Sequence, residues 1–512
     1  LTLFYVATFR GSVALRRASS RKKNFGEQVG PSSTKKDGVP ALASHNDVVP
    51  PRMAVLNVVG LTDSQIGPDM PNIAQFRAQG VQTRIRPAFP AVTCTAQSNY
   101  LTGAPPRRHG IVGNGWYDRA LAEVHFWKQS NHLVTAPKIW DVLRARHPGF
   151  TCAQLFWWFN MYSTADYSIT PRPAYPSDGR KVFDIYSWPP TIRPEIKRDL
   201  GEFPFPSFWG PAAGVNSPQG RADAASRWIA DAAKWIEQKY SPTLNLVYLP
   251  HLDYNLQRHG PGGANIAADL RSIDAIVGDL ISFFQSRAVR VVLLSEYGIG
   301  AVDTPVHLNR LFREQGWISI KEELGLELLD CGASKVFAVA DHQVAHIYLN
   351  DRSLESRVLD LLSRQAGIQS VLGSKEKAEL GLDHPRAGDL IAVATEHAWF
   401  TYYYWREDAL APDFARCVDI HRKPGYDPVE LFLDPKIHMV KAKILGRLLQ
   451  KKLGFRMLMD VIPLDATLVK GSHGLRPSGP AEQPVFLRDS HGDSLPAEVD
   501  STEIFNLLMN LM

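Results

Sequence analysis

Short apolar runs closed by turn residues, strongly amphipathic helices between them and a strand–helix–strand order predict an α/β fold. The expected architecture is a mainly parallel central sheet with helices on both faces, plus a smaller α+β subdomain. The first run covers residues 55–59 and ends at Gly60; residues 244–249 and 289–294 form two more. Between the last two, Ile266, Leu270, Ile273, Val277, Leu280 and Phe284 recur at three- and four-residue spacing, which predicts a helix with one buried face. Trp228, Ile229, Ala232, Trp235 and Ile236 predict another just before them.

The chain divides into five stretches. Residues 1–52 form a basic leader, 53–315 the α/β core, 316–386 the smaller subdomain, 387–475 a return to the core, and 476–512 a polar tail with a short amphipathic end. Residues 165–220 are rich in proline and aromatics and predict a long excursion with little regular structure. No internal repeat is present.

Composition excludes several classes. Of 512 residues, 45% are hydrophobic and 21% charged, which is globular and not disordered, collagenous or coiled-coil. No apolar stretch approaches the roughly 18 residues a membrane span needs. Cys94, Cys152, Cys331 and Cys417 are far apart, so neither a disulfide scaffold nor a cysteine zinc site is expected, and a reducing compartment is favoured over secretion. The net charge is +5, yet residues 1–52 alone hold nine Lys/Arg against three Asp/Glu. The remainder is therefore almost neutral, and no binding of a nucleic-acid duplex is expected. The leader is Arg- and Ser-rich and poor in acids, as organelle transit peptides are. A disordered tail, or a reading frame opened upstream of Met53, fits it equally. The expectation is an intracellular soluble protein, plastid or mitochondrial if the leader is a transit peptide.

In an open α/β sheet, ligands gather beyond the carboxyl ends of the strands. Past the run at 244–249 come Asp253, Gln257 and His259; past 289–294 comes Glu296. Thr93 stands before a short helical segment, where free amide N–H groups favour phosphate, although a plain threonine N-cap explains the same residue. Thr95 and Ser98 offer competing hydroxyls. Asn114, set between Gly113 and Gly115, could present its amide to an anionic oxygen or simply cap a glycine-rich turn.

Taken together, these pieces resemble the alkaline phosphatase superfamily, in its nucleotide pyrophosphatase/phosphodiesterase branch with phosphonoacetate hydrolase close by. The resemblance rests on Phe-Pro-x-x-Thr at 89–93, Thr102-Gly103, His-Gly-Ile-x-Gly-Asn at 109–114, Tyr117-Asp118, Pro71-Asn72-Ile73, His-Pro-Arg-x-Gly-Asp at 384–389 and Ser472-His473-Gly474. It implies a metal-assisted hydrolase of phosphodiester, pyrophosphate or phosphonate bonds acting on a small phosphorylated substrate. Thr93 would be the nucleophile, Asn114 the oxyanion partner, and two zinc ions would sit at the sheet edge.

The metal ligands are where the sequence departs from that pattern. Val59 stands where the family has Asp before Gly, with Asn57, Thr62 and Asp63 as nearby substitutes. Gln257 replaces the histidine of Asp-x-x-x-His, and Glu296-Tyr297 replaces Asp-His. Thr93, Asp253 and His473 match in kind. An oxygen-rich set would accept a harder cation such as manganese or magnesium more readily than the family's zinc set does, and at most one site is expected, from Asp253, His473 and Gln257 or His259. The competing expectation is a degenerate member that binds a phosphorylated ligand without cleaving it. His342 and His346 share the spacing of a helical metal pair, but residues 336–348 read as strand, and structural roles are expected for both. Residues 419–427 read equally well as a loop near the site or as a solvated turn.

Overall fold

The computed structural model describes residues 50–178, 180–217, 220–490 and 494–512. The leader, apart from Pro50, Pro51 and Arg52, lies outside the described residues. The strands of the two larger sheets are, in chain order, β1 (Met53–Val58), β2 (Gly80–Arg86), β3 (Cys152–Leu155), β4 (Tyr167–Pro171), β5 (Ile185–Trp188), β6 (Leu244–Leu249), β7 (Arg290–Leu294), β8 (Val336–Asp341), β9 (Val344–Leu349), β10 (Ile368–Leu372), β11 (Leu390–Ala394), β12 (Val485–Asp489) and β13 (Glu498–Asp500). Five helices cover the sheet or shape the site and surface: α1 (Thr93–Thr102), α2 (Ala224–Tyr240), α3 (His251–His259), α4 (Ile266–Gln285) and α5 (Val440–Lys452).

Nine strands form the central sheet in the order β13-β2-β12-β7-β1-β6-β3-β4-β5. Its middle, β7-β1-β6-β3-β4, is parallel, with Leu56 opposite both Val247 and Leu293. β1 and β6 are buried along their whole length. That burial results from helices covering the sheet: α1, α2 and α4 contribute Tyr100, Ile229 and Ile273 to the same core as Leu56 and Leu246. β5 and β12 run antiparallel to their neighbours β4 and β7.

The expected organisation needs three corrections. The polar tail is not peripheral: β12 inserts between β2 and β7, and Val485, Phe486 and Leu487 are fully buried. An apolar run of three lies within the range a strand can use but is too short for periodicity to reveal. The smaller subdomain extends past 386, because its antiparallel sheet, ordered β8-β9-β11-β10, closes with β11 at Ala394. The 165–220 excursion is partly regular, supplying β4, β5 and the helix Ile192–Leu200.

The β8–β9 hairpin carries two acid–base side chains, Asp341 and His342, on a strained turn. Asp341 pairs with Val344 across this tight turn, whose first residue, His342, has φ +63°. A non-glycine residue there is uncommon and needs external support. The support comes from three backbone bonds: Gln343 N to His473 O (2.9 Å), Phe400 N to His342 O (2.8 Å) and Ala394 N to Gln343 O (2.9 Å). His346 lies on β9, where Nε2 meets Val112 O at 3.0 Å and Nδ1 accepts from Gly388 N at 3.1 Å, so the two histidines form no helical pair.

Because Phe486 fills the core from a central strand, Phe486→Ala should destabilise the protein by about 3–5 kcal/mol. Denaturant unfolding measures this. A loss below about 1 kcal/mol would mean that β12 is only an appendage.

Candidate active site

Four segments bring side chains to the carboxyl ends of the parallel strands. β1 contributes Asn57, the turn after β7 contributes Glu296 and Tyr297, and α3, which comes after β6, contributes Asp253 and Gln257 one helical turn apart. The first turn of α1 carries Thr93, with Gln97 one turn on. Glu296 Oε1 accepts from Asn57 Nδ2 and from Gln97 Nε2, both at 2.6 Å. Tyr297 bridges the two halves of the site: its hydroxyl lies 3.0 Å from Thr93 Oγ1 and donates to Asp253 Oδ1 at 3.4 Å. Gln257 Nε2 donates to Asp253 Oδ2 (2.7 Å), and Gln257 Oε1 accepts from Tyr426 (2.9 Å).

His473 enters from the return segment. Gly471, two residues earlier, packs so tightly on α3 that a Cβ there would lie 2.0 Å from Leu256 O. Only glycine permits that approach. The His473 ring stacks on Tyr297 (3.7 Å, 8°) and lies 3.5 Å from the His342 ring, with Nδ1 2.8 Å from Ala91 O. On its other side His342 stacks on Tyr426 at 3.7 Å. Tyr426 belongs to the 419–427 segment, which therefore reaches the site. A buried ion pair anchors that segment: Lys423 Nζ is 2.7 Å from both Asp427 Oδ2 and Glu430 Oε1.

Of the residues expected at the site, Thr93, Asp253, Gln257, Glu296 and His473 converge. His259 does not: it sits exposed at the last turn of α3, six positions beyond Asp253 and on a different face. Asn114 is present in a different role. Its amide Oδ1 accepts from Cys94 N (3.0 Å), while Nδ2 and the backbone N donate to Asp341 (3.0 and 2.7 Å). It joins the start of α1 to the hairpin tip and does not line the cavity. Of the substitutes for the missing aspartate, only Asn57 reaches the site; Asp63 is held by Gln82 and Arg77. Tyr297, Asp341, His342 and Tyr426 are site residues that the motifs did not single out. The available signals were the aromatic residue in place of the family's histidine after Glu296 and the 419–427 segment that contains Tyr426.

Burial governs the electrostatics. It pushes Glu296 up to about 8, against hydrogen bonds from Gln97, Asn57 and Thr93 that hold it down. It pushes Asp253 up to about 7, against hydrogen bonds from Gln257 and Tyr297, and Asp341 up to about 7, against those from Asn114. Burial also brings His473 down to about 3 and, with His473 beside it, keeps His342 well below its ordinary value. The histidines are therefore neutral near pH 7, Asp253 and Asp341 sit near half-protonation, and Glu296 is mostly protonated.

Above this floor opens a cavity of about 730 Å³. Thr93, Asp253, Tyr297, His342 and His473 form its base, and Trp116, Trp127, Trp158, Trp209, Phe208 and Tyr254 line its walls. Lys128, Arg172 and Lys181 are the cationic side chains that line it, and none makes an ion pair among the described residues.

A carboxyl whose folded pKa lies above its unfolded value stabilises the fold below the unfolded pKa and loses that contribution as pH rises through the folded one. For Glu296 the window runs from about 4.5 to about 8. Glu296→Gln keeps an oxygen for Asn57 and Gln97, so its melting temperature should exceed that of the wild type at pH 8, with the gap narrowing toward pH 5. Parallel melting curves across that range would disprove the buried-acid reading.

The family model described as type I phosphodiesterase/nucleotide pyrophosphatase matches residues 53–427. An uncharacterised pyrophosphatase/phosphodiesterase of Schizosaccharomyces pombe is 24% identical over 251 residues, 47% of this chain and 42% of that protein. Ectonucleotide pyrophosphatase/phosphodiesterase family member 3 of Bos taurus is 23% identical over 237 residues, 45% of this chain and 22% of that protein, so the chain spans less than half the length of either relative. Among solved structures, murine ectonucleotide pyrophosphatase/phosphodiesterase 5 in complex with AMP superposes with a TM-score of 0.54 at 14% identity, covering 90% of this chain and 94% of that one. Phosphonoacetate hydrolase of Sinorhizobium meliloti, in complex with phosphonoformate, gives 0.54 at 15% identity, covering 90% and 96%. With the nine-stranded sheet and with Thr93, Asp253 and His473 gathered at its rim, the chain belongs to the type I phosphodiesterase/nucleotide pyrophosphatase family, within the alkaline phosphatase superfamily.

Proposed function

We propose that this chain is a ligand-binding member of its family, which takes a small phosphorylated molecule with an apolar body into the cavity above Thr93 and does not cleave it by the metal-assisted route. The observation that carries the reading is the Tyr297 hydroxyl, placed between Thr93 Oγ1 and Asp253 Oδ1. It joins by hydrogen bonds two oxygens that the family resemblance assigns to cations.

The donor set does not fit zinc, and it fits manganese or magnesium little better. Val59 offers no donor, and Gln257 Oε1 is already bonded to Tyr426. Two amides already donate to Glu296 Oε1, which leaves only Oε2 of that carboxyl without a hydrogen-bond partner. His473 presents its ring face to Tyr297. Among the described residues, no group of three or more His, Cys, Asp or Glu could hold a metal ion. AMP and phosphonoformate in the structural neighbours support a phosphorylated or phosphonate ligand here. The walls support an apolar or aromatic body for it.

A second reading is hydrolysis with Thr93 as nucleophile, favoured by its place in the cavity base at the first turn of α1. Cleavage of a chromogenic phosphodiester across a panel of divalent metals separates the two. The binding reading expects no turnover that Thr93→Ala removes; metal-dependent turnover lost in Thr93→Ala establishes the hydrolase.

Restoring the family's ligands supplies a further test. The triple substitution Val59→Asp, Gln257→His and Tyr297→His should take up zinc, whereas the wild type should purify with substoichiometric metal. Elemental analysis that finds two zinc ions per wild-type chain would end the binding reading.

A further inference from the structure

Exposed apolar residues are ordinary when scattered, and informative when they gather on one face. In this protein they gather on α5 and the residues around it. Met439 (79% exposed), Leu445 (69%), Leu449 (55%), Leu453 (65%) and Phe455 (63%) are among the most exposed large apolar side chains of the described residues, and Leu448 and Leu458 accompany them. No residue of α5 is buried.

The side turned to the protein is mixed: Val440 and Ile444 pack on the core, and Lys443 Nζ and Arg447 Nη2 meet the Asp460 carboxylate at 2.8 and 3.1 Å. Ala442, Leu445, Gly446, Leu449 and Leu453 recur at three- and four-residue spacing and all face outward. Seven Lys/Arg and no Asp/Glu lie between residues 436 and 458. Lys436, Lys441, Lys451, Lys452 and Arg456 have no ion-pair partner among the described residues.

We infer that this face docks on an anionic lipid bilayer, with the leucines and Phe455 in the headgroup–acyl boundary and the free cations against the lipid phosphates and carboxylates. A leucine-rich face flanked by lysine and arginine, with no acid to repel the surface, is the pattern of a helix lying in the interface plane. Charge complementarity selects the occupant: a second copy of the same face would bring like charge against like. No helix of the described residues is long and apolar enough to cross a membrane, so the contact is one of lying on the surface. The docking face also adjoins the cavity. Lys451 Nζ donates to Lys181 O (3.2 Å) and lies over the Phe183 ring, and Arg456 Nε donates to Asp178 O (2.8 Å), while Lys181 itself lines the cavity.

Co-sedimentation of the full-length chain with phosphatidylcholine vesicles, with and without phosphatidylserine, tests this. Binding should require phosphatidylserine and weaken as salt is raised. Leu445→Glu with Leu449→Glu should weaken it about tenfold or more, and Lys441→Glu with Lys452→Glu should abolish the preference for phosphatidylserine. All four side chains are exposed, so melting temperatures should stay unchanged. The inference is overturned if the wild type does not bind. It is equally overturned if the leucine variant binds undiminished, which would assign the attachment to the basic leader. A dimer in sedimentation that the leucine variant dissociates would make the face an interface between copies.

Discussion

Three carboxyl groups, those of Asp253, Glu296 and Asp341, are buried at one end of the sheet with no cationic side chain beside them. A buried charge without a partner is costly, and a protein holding such groups must bind a cation, protonate them or surround them with donors. In this chain burial raises the pKa of all three, and hydrogen-bond donors are turned on each. Two amides converge on Glu296, an amide and a phenol on Asp253, and the amide and backbone N–H of Asn114 on Asp341. On Glu296 both donors meet Oε1, and Oε2 is left buried without a hydrogen-bond partner among the described residues. The replacement of Asp, His and His by Val59, Gln257 and Tyr297 is therefore coherent. Together these residues rebuild the floor as a hydrogen-bonded, nearly neutral surface.

That floor is assembled from distant parts of the chain, and the surroundings over-determine it. The β8–β9 hairpin projects Asp341 and His342 from the smaller sheet onto the end of the larger one, with Asn114 joining the hairpin tip to α1. The His342 backbone holds its left-handed conformation because neighbouring strands satisfy the turn on either side. Across the site, the Lys423–Asp427–Glu430 cluster fixes the segment that delivers Tyr426. Here the ion pairs are complete, and Trp209 Nε1 completes the set by donating to Glu430 at 2.6 Å. The contrast is between buried charges paired where they position the backbone and acids, Asp253 among them at the cavity, whose pKa burial raises.

The central sheet and the convergence of Thr93, Asp253, Gln257, Glu296 and His473 were legible in the sequence because strand ends and short motifs carry them. Asp253 and Gln257 are four residues apart on one helix, so local spacing alone puts them together. The same geometry turns His259 away, since six positions do not return to the starting face of a helix. Asp341 was hidden, and the places of His342 and of Tyr426 in the 419–427 segment were left open, because each reaches the site through a tertiary contact that no sequence interval encodes. Tyr297 was visible as a departure from a histidine, but its meaning depends on distances to two residues far away in the chain. β12 escaped notice because three buried residues in a polar stretch form no period.

On the proposed binding reading, moving positive charge away from the floor reverses the polarity of the cavity. With cations bound at the base, a phosphate would be drawn inward and the body of a ligand left toward the mouth. Here the base offers neutral histidines and partly protonated acids, the walls are aromatic, and the available cations are Lys128, Arg172 and Lys181. An anionic group is therefore held best beside those cations, with the apolar body buried against Trp116, Trp127 and Trp158, the reverse of the arrangement a metal-loaded base would impose. Lys181 belongs to the same stretch of chain that Lys451 of α5 and Arg456 just beyond it grip. On the proposed reading and the inferred docking face together, the ligand that suits the cavity is an amphiphile whose charged group stays near the surface while its body enters the protein.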